Sequence, residues 1–576
     1  MKPIYITNTY NQAVHLIIVS ITLCLIACFS QSMAQSQSNT SHYIPKTIID
    51  KARSASIKMF GIDSVTRQQN SAPFSGVVVR EDGYILTVAH ATVPGNFYRV
   101  IFADGKQGIA KALGRLVVDQ QSNLPDIAMM KMQGQGLWPF TEMGWSSSIS
   151  DKQLCFGLSY PETVPFAIPF FRAGRILKKV DNYGFMWSSC IMEPGDSGGP
   201  LFDAMGRVIG LHSRIDRPEG INFEVPVDSY RKYWSSLTHA VAINTYPIST
   251  DAIAGDPAKA KLLKIALKKQ TEQPKTTIQS LPINSISHGD TLHILGTAFK
   301  LSNNKQIIVS KSSEVAENPT LNIGKSTYPL TVLLRDEKTD LIALSAPSKL
   351  FPAFAIYTVT DQAITDSLIG LNLWSLLTAN QSKTGVLGMS SQAFPRIPVP
   401  GTFDAQMQEM NGLPTLTKVD SLGAACRAGL QSGDQITALN GNDVSSALKI
   451  NAAMQKFSVG DTLLVQYRRG VADLQTKVIL SKWRIRENPH PADNIPGGKS
   501  IRRDNFPSVF LHDSRIHANE CGSPIVDDQG NFIGINIARF SHTACIAIPR
   551  DLVREFLSKV PTEHLKNQKS TTVAGT

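Results

Sequence analysis

Charge is sparse in this chain and cysteine is sparser. Asp, Glu, Lys and Arg together make up 18% of its 576 residues, and seven residues are cysteine. The low charge and a 42% apolar content exclude a disordered polyelectrolyte and support packed cores. Seven cysteines over this length give no dense disulfide framework, and none has zinc-finger spacing. Aromatic residues reach only 7%, and no compact basic tract is interleaved with them. The net charge of +11 therefore reads as a dispersed, solvated surface, and no nucleic-acid partner is expected. No metal site and no cofactor are implied. The length calls for three or four domains.

Long apolar runs are also lacking, with one exception at the start. Leu16 to Phe29 is interrupted only by Ser20 and Thr22, and follows a segment whose only charge is Lys2. It suits the core of a signal peptide over residues 1–34 better than a membrane span. Two processing sites compete. Ser32-Met33-Ala34 precedes Gln35, whereas Leu25-Ile26-Ala27-Cys28 has the form of a bacterial lipobox that would leave a lipidated Cys28 as a membrane tether. An uncleaved anchor is the third reading. All three put the body of the protein outside the cytoplasm, in the periplasm or cell envelope. Cleavage after Ala34 leaves five cysteines. Pairs Cys155–Cys190 and Cys521–Cys545 stand against buried free thiols.

What is present is a serine between glycines, in Gly195-Asp196-Ser197-Gly198-Gly199-Pro200. Such a turn lets a carbonyl approach a hydroxyl and lets backbone N–H groups face it. A serine hydroxyl needs a base, and the base needs an orienting carboxylate. His90 ends the strand-like Gly83-Tyr84-Ile85-Leu86-Thr87-Val88-Ala89, which pairs through the Glu81-Asp82-Gly83 turn with Phe74–Val79. Asp126 heads the apolar Ile127-Ala128-Met129-Met130. The order His, Asp, Ser is that of chymotrypsin-type peptidases.

On these motifs, residues 46–240 resemble trypsin-like serine proteases of the HtrA/Deg type. The resemblance implies a double β-barrel in which His90 is the general base, Asp126 orients it and Ser197 attacks the scissile carbonyl. It further implies an oxyanion hole from the N–H groups of Gly195 and Ser197, and a specificity pocket lined by Ile191 and Met192, apolar and without an acid. The apolar Val164-Pro165-Phe166-Ala167-Ile168-Pro169-Phe170-Phe171 reads as a core strand after a proline turn in preference to a substrate or regulatory loop. Relatives often trimerise through the protease domain. A fused second barrel can occupy that surface, so a homo-oligomer is left open.

Residues 241–275 read as a linker, after which the first pattern recurs. Gly296–Leu301 echoes Phe74–Val79, and Ile308–Ser313 echoes Ile85–His90. Asp340-Leu341-Ile342 echoes Asp126-Ile127-Ala128, and Glu520-Cys521-Gly522-Ser523-Pro524 echoes Asp196–Pro200. Ser313 stands for the histidine, Asp340 for the acid and Cys521 for the serine. A thiol without a base is no catalyst, so residues 276–398 and 483–562 are expected to form a silent second trypsin-like domain.

Between these halves, residues 400–482 resemble a PDZ domain through Ala428-Gly429-Leu430, Gly433-Asp434-Gln435-Ile436 and Asn440-Gly441. PDZ domains bind peptide segments by strand addition. The corresponding peptide-binding loop is Thr402-Phe403-Asp404-Ala405, with Gly385–Gly388 as the alternative. The family usually has glycine where Asp404 stands, which puts capture of a terminal carboxylate in doubt. Residues 563–576 read as a polar, disordered tail.

The expected fold is mostly β: two chymotrypsin-like double β-barrel domains, the second degenerate, with an α+β PDZ domain inserted in it. The expected function is an exported serine endopeptidase acting on unfolded or damaged polypeptides, with the PDZ and second domain binding substrate or regulating. The alternative is a peptide-binding, chaperone-like envelope protein with weak or gated proteolysis.

Overall fold

A computed structural model describes residues 44–561 apart from 216–219, 267–272, 288–289, 348–350, 379, 398–400, 411, 445, 447–449, 451–452, 455–456 and 483–489. The expected signal segment, most of the second PDZ helix and the polar tail lie outside the described residues.

The helix Lys46–Ala55 turns Ile49, Ala52 and Ala55 inward and runs directly into β1 (Ser56–Ile62). Strands β2 (Phe74–Val78), β3 (Tyr84–Thr87), β4 (Phe97–Phe102), β5 (Gln107–Leu116) and β6 (Ile127–Met132) complete the first lobe. Their order is β5-β4-β1-β2-β3-β6, and β6 pairs back onto β5. Closure leaves few unpaired backbone edges. Alternate residues of β4 and β5 are buried, as a barrel with one wet face requires. The second lobe is a closed barrel of β7 (Leu154–Ser159), β8 (Phe170–Lys178), β9 (Met186–Ser188), β10 (Pro200–Asp203), β11 (Val208–Ile215) and β12 (Asn222–Pro226).

The expected linker is laid down on this unit. β13 (Ala242–Ile243) pairs parallel with β5. Farther on, the Asp256 carboxylate accepts two hydrogen bonds from Arg207, at 2.9 and 3.2 Å.

A second double-lobed unit follows. Its first lobe contains β14 (Leu281–Ser287), β15 (Asp290–Lys300), β16 (Gln306–Lys311), β17 (Glu317–Ile323), β18 (Ser326–Pro329), β19 (Val332–Asp336), β20 (Leu341–Ser345) and β21 (Phe354–Ala355). This lobe departs from the expected barrel: it is an open sheet, β18-β17-β14-β15-β16-β20-β19, with β21 beside β15. The long first-copy strand β5 closes its lobe by pairing with both β4 and β6. Here the equivalent stretch is split into shorter strands, and β18 and β19 end the sheet instead.

The second lobe starts with β22 (Asn372–Leu376) and β23 (Ser382–Phe394). The PDZ module comes next, with β24 (Gly401–Thr402), β25 (Ala405–Met410), β26 (Leu413–Val419), β27 (Gln435–Leu439), β28 (Asn442–Asp443), β29 (Thr462–Arg469), β30 (Ala472–Ile479) and β31 (Ser481–Lys482). β32 (Phe506–His512), β33 (Pro524–Val526), β34 (Phe532–Arg539) and β35 (Cys545–Pro549) then close the barrel. Because β23 pairs with β32, the module interrupts one hairpin of the barrel without breaking its ladder. The alternative PDZ loop, Gly385–Gly388, is part of β23 and belongs to that barrel.

Strand pairing fixes the equivalence of the two units. Val78 pairs with Ile85 and Ala298 with Ile308, so Gly296 matches Gly76 and the echo read at Gly296–Leu301 is displaced by two residues. The match of Asp340 to Asp126 follows from Ser310 pairing with Ile342 as Thr87 pairs with Ala128.

The apolar stretch 164–171 joins the two units. Only its end is strand, in β8. Val164 and Phe170 belong to the core of the second unit, and Phe166 packs edge-on against Phe394 at 5.5 Å. Ile369 and Val386 pack in return into the first unit's core. Cys155, Cys190, Cys521 and Cys545 are buried free thiols and Cys426 is exposed and free, so neither contemplated disulfide forms.

Candidate active site

His90, Asp126 and Ser197 come together between the two lobes of the first unit. His90 sits on a turn just after β3, and Asp126 immediately precedes β6. The Asp126 backbone is left-handed, φ +60°, a conformation Asp tolerates better than most residues. Its carboxylate is buried and lies 3.0 and 3.1 Å from His90 Nδ1. It also accepts the His90 backbone N–H at 3.0 Å and the Ser213 hydroxyl. The opposite ring nitrogen, Nε2, is 3.0 Å from Ser197 Oγ. One imidazole face is therefore tied to a buried acid while the other is free to take a proton from the serine.

The serine turn is held from behind. Gly198 has φ +79°, and a Cβ there would run into Thr87 Oγ1 and the Ser75 carbonyl. Asp196 forms a fully buried ion pair with Arg172, which donates at 2.6 and 2.8 Å and also reaches the Ile191 carbonyl and the Ser159 hydroxyl. Burial works against the charged guanidinium, yet the Asp196 carboxylate holds its pKa above the ordinary value. Glu193 is buried beside them. Burial, then the Asp196 charge, pushes its carboxyl up from the ordinary range. It accepts from the Thr163 hydroxyl and, at 3.4 Å, from the Thr543 N–H of the second unit. Among the described residues, the N–H groups of Gly195 and Ser197 donate to no protein acceptor.

A cleft of about 530 Å³ opens in front of Ser197. Met192 lines it. Ile191 does not: it faces a separate cavity between the two units, beside Arg175 and Trp374. Arg172, Glu193 and Ser213 were not singled out from the sequence. The available signal was Arg172 itself, an arginine inside the apolar Phe170-Phe171-Arg172-Ala173, which requires a buried acid.

A trypsin-like peptidase domain model matches residues 74–211, and a PDZ domain model matches residues 403–480. The chain carries a trypsin-like serine peptidase domain and a PDZ domain. A probable periplasmic serine endoprotease, DegP-like, of Hahella chejuensis is 23% identical over 412 residues, covering 69% of this chain and 78% of that protein. A protein of the same description from Pseudomonas fluorescens is 32% identical over 162 residues, 27% of this chain and 32% of its own length. Serine protease HTRA1 of Xenopus tropicalis is 29% identical over 174 residues, 29% of this chain and 36% of its own length. The solved serine endoprotease from Yersinia pestis aligns with 78% of this chain at 13% identity and a TM-score of 0.29.

The second unit repeats the peptidase backbone with other side chains. The Leu295 N–H donates to the Cys521 carbonyl as Ser75 N–H does to that of Ser197, and Gly522 N–H donates to Asn536 as Gly198 N–H does to His212. Ser313 stands at the histidine position, its N–H 2.8 Å from Asp340 Oδ1 and its hydroxyl 2.9 Å from Oδ2. Buried Lys311 reaches the same carboxylate at 2.5 Å. Burial pushes the Cys521 thiol up to about 12. The Ser500 backbone N–H donates to the Arg539 carbonyl at 3.0 Å, and Ser500 Oγ lies 3.7 Å from Cys521 Sγ. Arg539 is buried where the peptidase domain has Ile215 in its cleft. The second unit thus fills the place of a cleft with its own chain.

In the PDZ domain, Thr402, Phe403 and Ala405 flank Asp404, whose backbone is left-handed at φ +55°. The Asp404 carboxylate accepts from the Ala424 N–H at 3.2 Å and from the Ser481 hydroxyl, and its N–H is taken by Thr402 Oγ1 at 3.0 Å. The loop thus holds an internal carboxylate of its own. β25 pairs with β26 along one edge, and β25 is mostly exposed.

Proposed function

We propose that this chain is an exported serine endopeptidase that hydrolyses peptide bonds in unfolded or damaged polypeptides. His90 Nε2 takes the Ser197 hydroxyl proton as Oγ bonds to the scissile carbonyl carbon. Asp126 keeps the ring oriented and stabilises the imidazolium. The negative charge on the carbonyl oxygen is met by the N–H groups of Gly195 and Ser197. The C–N bond then breaks, His90 gives its proton to the leaving amine, and water activated by the same imidazole releases the acid product and frees Ser197. Met192 contributes an apolar surface for the substrate. The PDZ domain takes extended peptide segments at the open edge of β25, and the periplasmic names of the relatives favour an envelope location.

The observation that carries this reading is the chain of contacts Asp126–His90–Ser197, each within 3.1 Å. The test is a fluorophosphonate probe together with digestion of a denatured protein. Label at Ser197, none at Cys521, and loss of cleavage in Ser197→Ala are expected; undiminished cleavage by Ser197→Ala would sink the reading. A second reading, a chaperone-like peptide binder with gated proteolysis, is favoured by the inert Cys521 centre and by the PDZ module built into that unit. It predicts that Ser197→Ala still suppresses aggregation of an unfolded protein.

A further inference from the structure

The cleft in front of Ser197 is not built by the peptidase domain alone. Its lining includes His490 and Pro491, almost 300 residues downstream and carried on the second unit. They are not a loose tail at this point. His490 caps the short turn Pro491–Asp493, its Nδ1 accepting the Ala492 N–H at 3.1 Å and its own N–H donating to Asp493 Oδ2 at 3.1 Å. Ala492 and Ile495 are buried beneath the turn. Farther along, Ser500 exchanges hydrogen bonds with Arg539: its N–H donates to the Arg539 carbonyl and its hydroxyl accepts the Arg539 N–H, both at 3.0 Å. The neighbouring loop braces the same region from the other side. His542 is buried, its carbonyl accepting from Arg539 Nη2 at 2.9 Å, and the Thr543 N–H reaches Glu193, two residues before Gly195.

The strap also covers a strand edge whose counterpart in the first unit is open. In the first unit, β12 pairs with β11 as far as Ile215, whereas pairing with β10 stops at Leu211. One edge of Ser213–Ile215 is therefore open towards the cleft. Ile215 corresponds to Arg539, and at Arg539 that edge is occupied by Ser500 of the strap. In the second unit the chain's own Ser500 fills a place that in the first is open. The other end of the same strap, His490 and Pro491, stands at the first unit's cleft with Phe74, Met192 and Ile215.

We propose that His490 and Pro491 are specificity-determining residues of the peptidase cleft. Through them the second unit helps to select the residues flanking the bond cut at Ser197. The substrate is an extended polypeptide paired along Ser213–Ile215. The imidazole, the proline ring and the apolar residues opposite favour an apolar side chain at this subsite. The inference rests on the peptidase reading above.

The test uses the full chain with a denatured protein as substrate, cleavage sites being mapped by mass spectrometry, and a peptide taken from a preferred site for kinetics. His490→Ala and Pro491→Ala are expected to raise KM for that peptide by about tenfold, more than they change kcat, and to redistribute the cleavage sites. Should His490→Ala lower the unfolding temperature through loss of the cap, His490→Asn keeps a capping oxygen while shortening the side chain, and the same shift is expected. An unaltered cleavage map and unaltered KM in all three variants would overturn the proposal while leaving the peptidase reading intact. Failure of the unsubstituted chain to label at Ser197 would overturn both.

Discussion

Asp126 and Asp340 occupy the same left-handed position, φ +60° in each, at the head of matching strands. What faces them differs. Asp126 meets an imidazole whose other nitrogen points to a serine in an open cleft. Asp340 meets the ammonium of Lys311, buried at the position of Val88, and a hydroxyl at the position of His90. Behind the nucleophile position both turns keep a glycine at positive φ, Gly198 and Gly522, because backbone or side-chain atoms fill the space a Cβ would need. The shared features are those the turn requires in order to exist. The two units differ in the few side chains around it. No imidazole faces the buried Asp340 carboxylate, and the Lys311 ammonium compensates its charge instead.

The two units are expected to differ most at the Ser197 and Cys521 positions. Ser197→Ala is expected to lower cleavage of a denatured protein by about 10³-fold or more, whereas Cys521→Ala leaves the rate unchanged; digestion time courses of both variants decide it. Next come the buried ion pairs. Arg172→Met in the first unit leaves the buried Asp196 carboxylate without its cation and should cost about 3–5 kcal/mol, whereas Lys311→Met in the second should cost less, because Arg502 still lies 3.7 Å from Asp340. Adding Asp196→Asn or Asp340→Asn, respectively, should recover most of that loss of stability, as read from urea denaturation. In the first unit alone, cleavage is expected to fall as well, because Asp196 adjoins Ser197, the proposed nucleophile.

A smaller difference is a matter of pH. His512 is buried at the place of Ser188, and burial lowers its pKa to about 3. With the folded value depressed, the neutral ring contributes stability above its unfolded pKa of about 6.5, and this is lost as pH falls through that value towards 3. Between pH 7 and pH 5 the loss from this group is about 2 kcal/mol. His512→Ser, which installs the first unit's residue, should flatten the slope of urea stability over that range. The smallest effect is expected from restoring a histidine. Ser313→His should leave Cys521 as unreactive to iodoacetamide as before, since the thiol stays buried beneath Ser500 and Arg539.

Much of this was legible because the relevant signals are local. Each member of the His90, Asp126, Ser197 set lies in a short motif that also dictates its own strand end or turn, so the three could be named without knowing how the chain folds back. The repeat was legible for the same reason, but its register was not. A displacement of two residues keeps every side chain on the same face of a strand, so Gly296 could be set against Phe74 without disturbing the apolar pattern. Only the pairing of Ala298 with Ile308 placed it against Gly76. Arg172 and Glu193 were overlooked for the opposite reason: their partners, Asp196 and the Thr543 N–H, lie 24 and 350 positions away.

Short windows of the chain carry the mostly β character, the motifs at His90, Asp126 and Ser197, their altered echoes at Ser313, Asp340 and Cys521, and the PDZ signature, since propensity, turn chemistry and motif spacing are all written within a few residues. Tertiary structure decided what stands between the two units. It sent Val164 and Phe170 into the second unit's core, turned Ile191 away from the cleft, left one lobe as an open sheet, and brought His490 and Pro491 to Ser197. Those outcomes depend on which distant surfaces exclude water together, and burial is a property of the assembled chain that no short window of sequence contains.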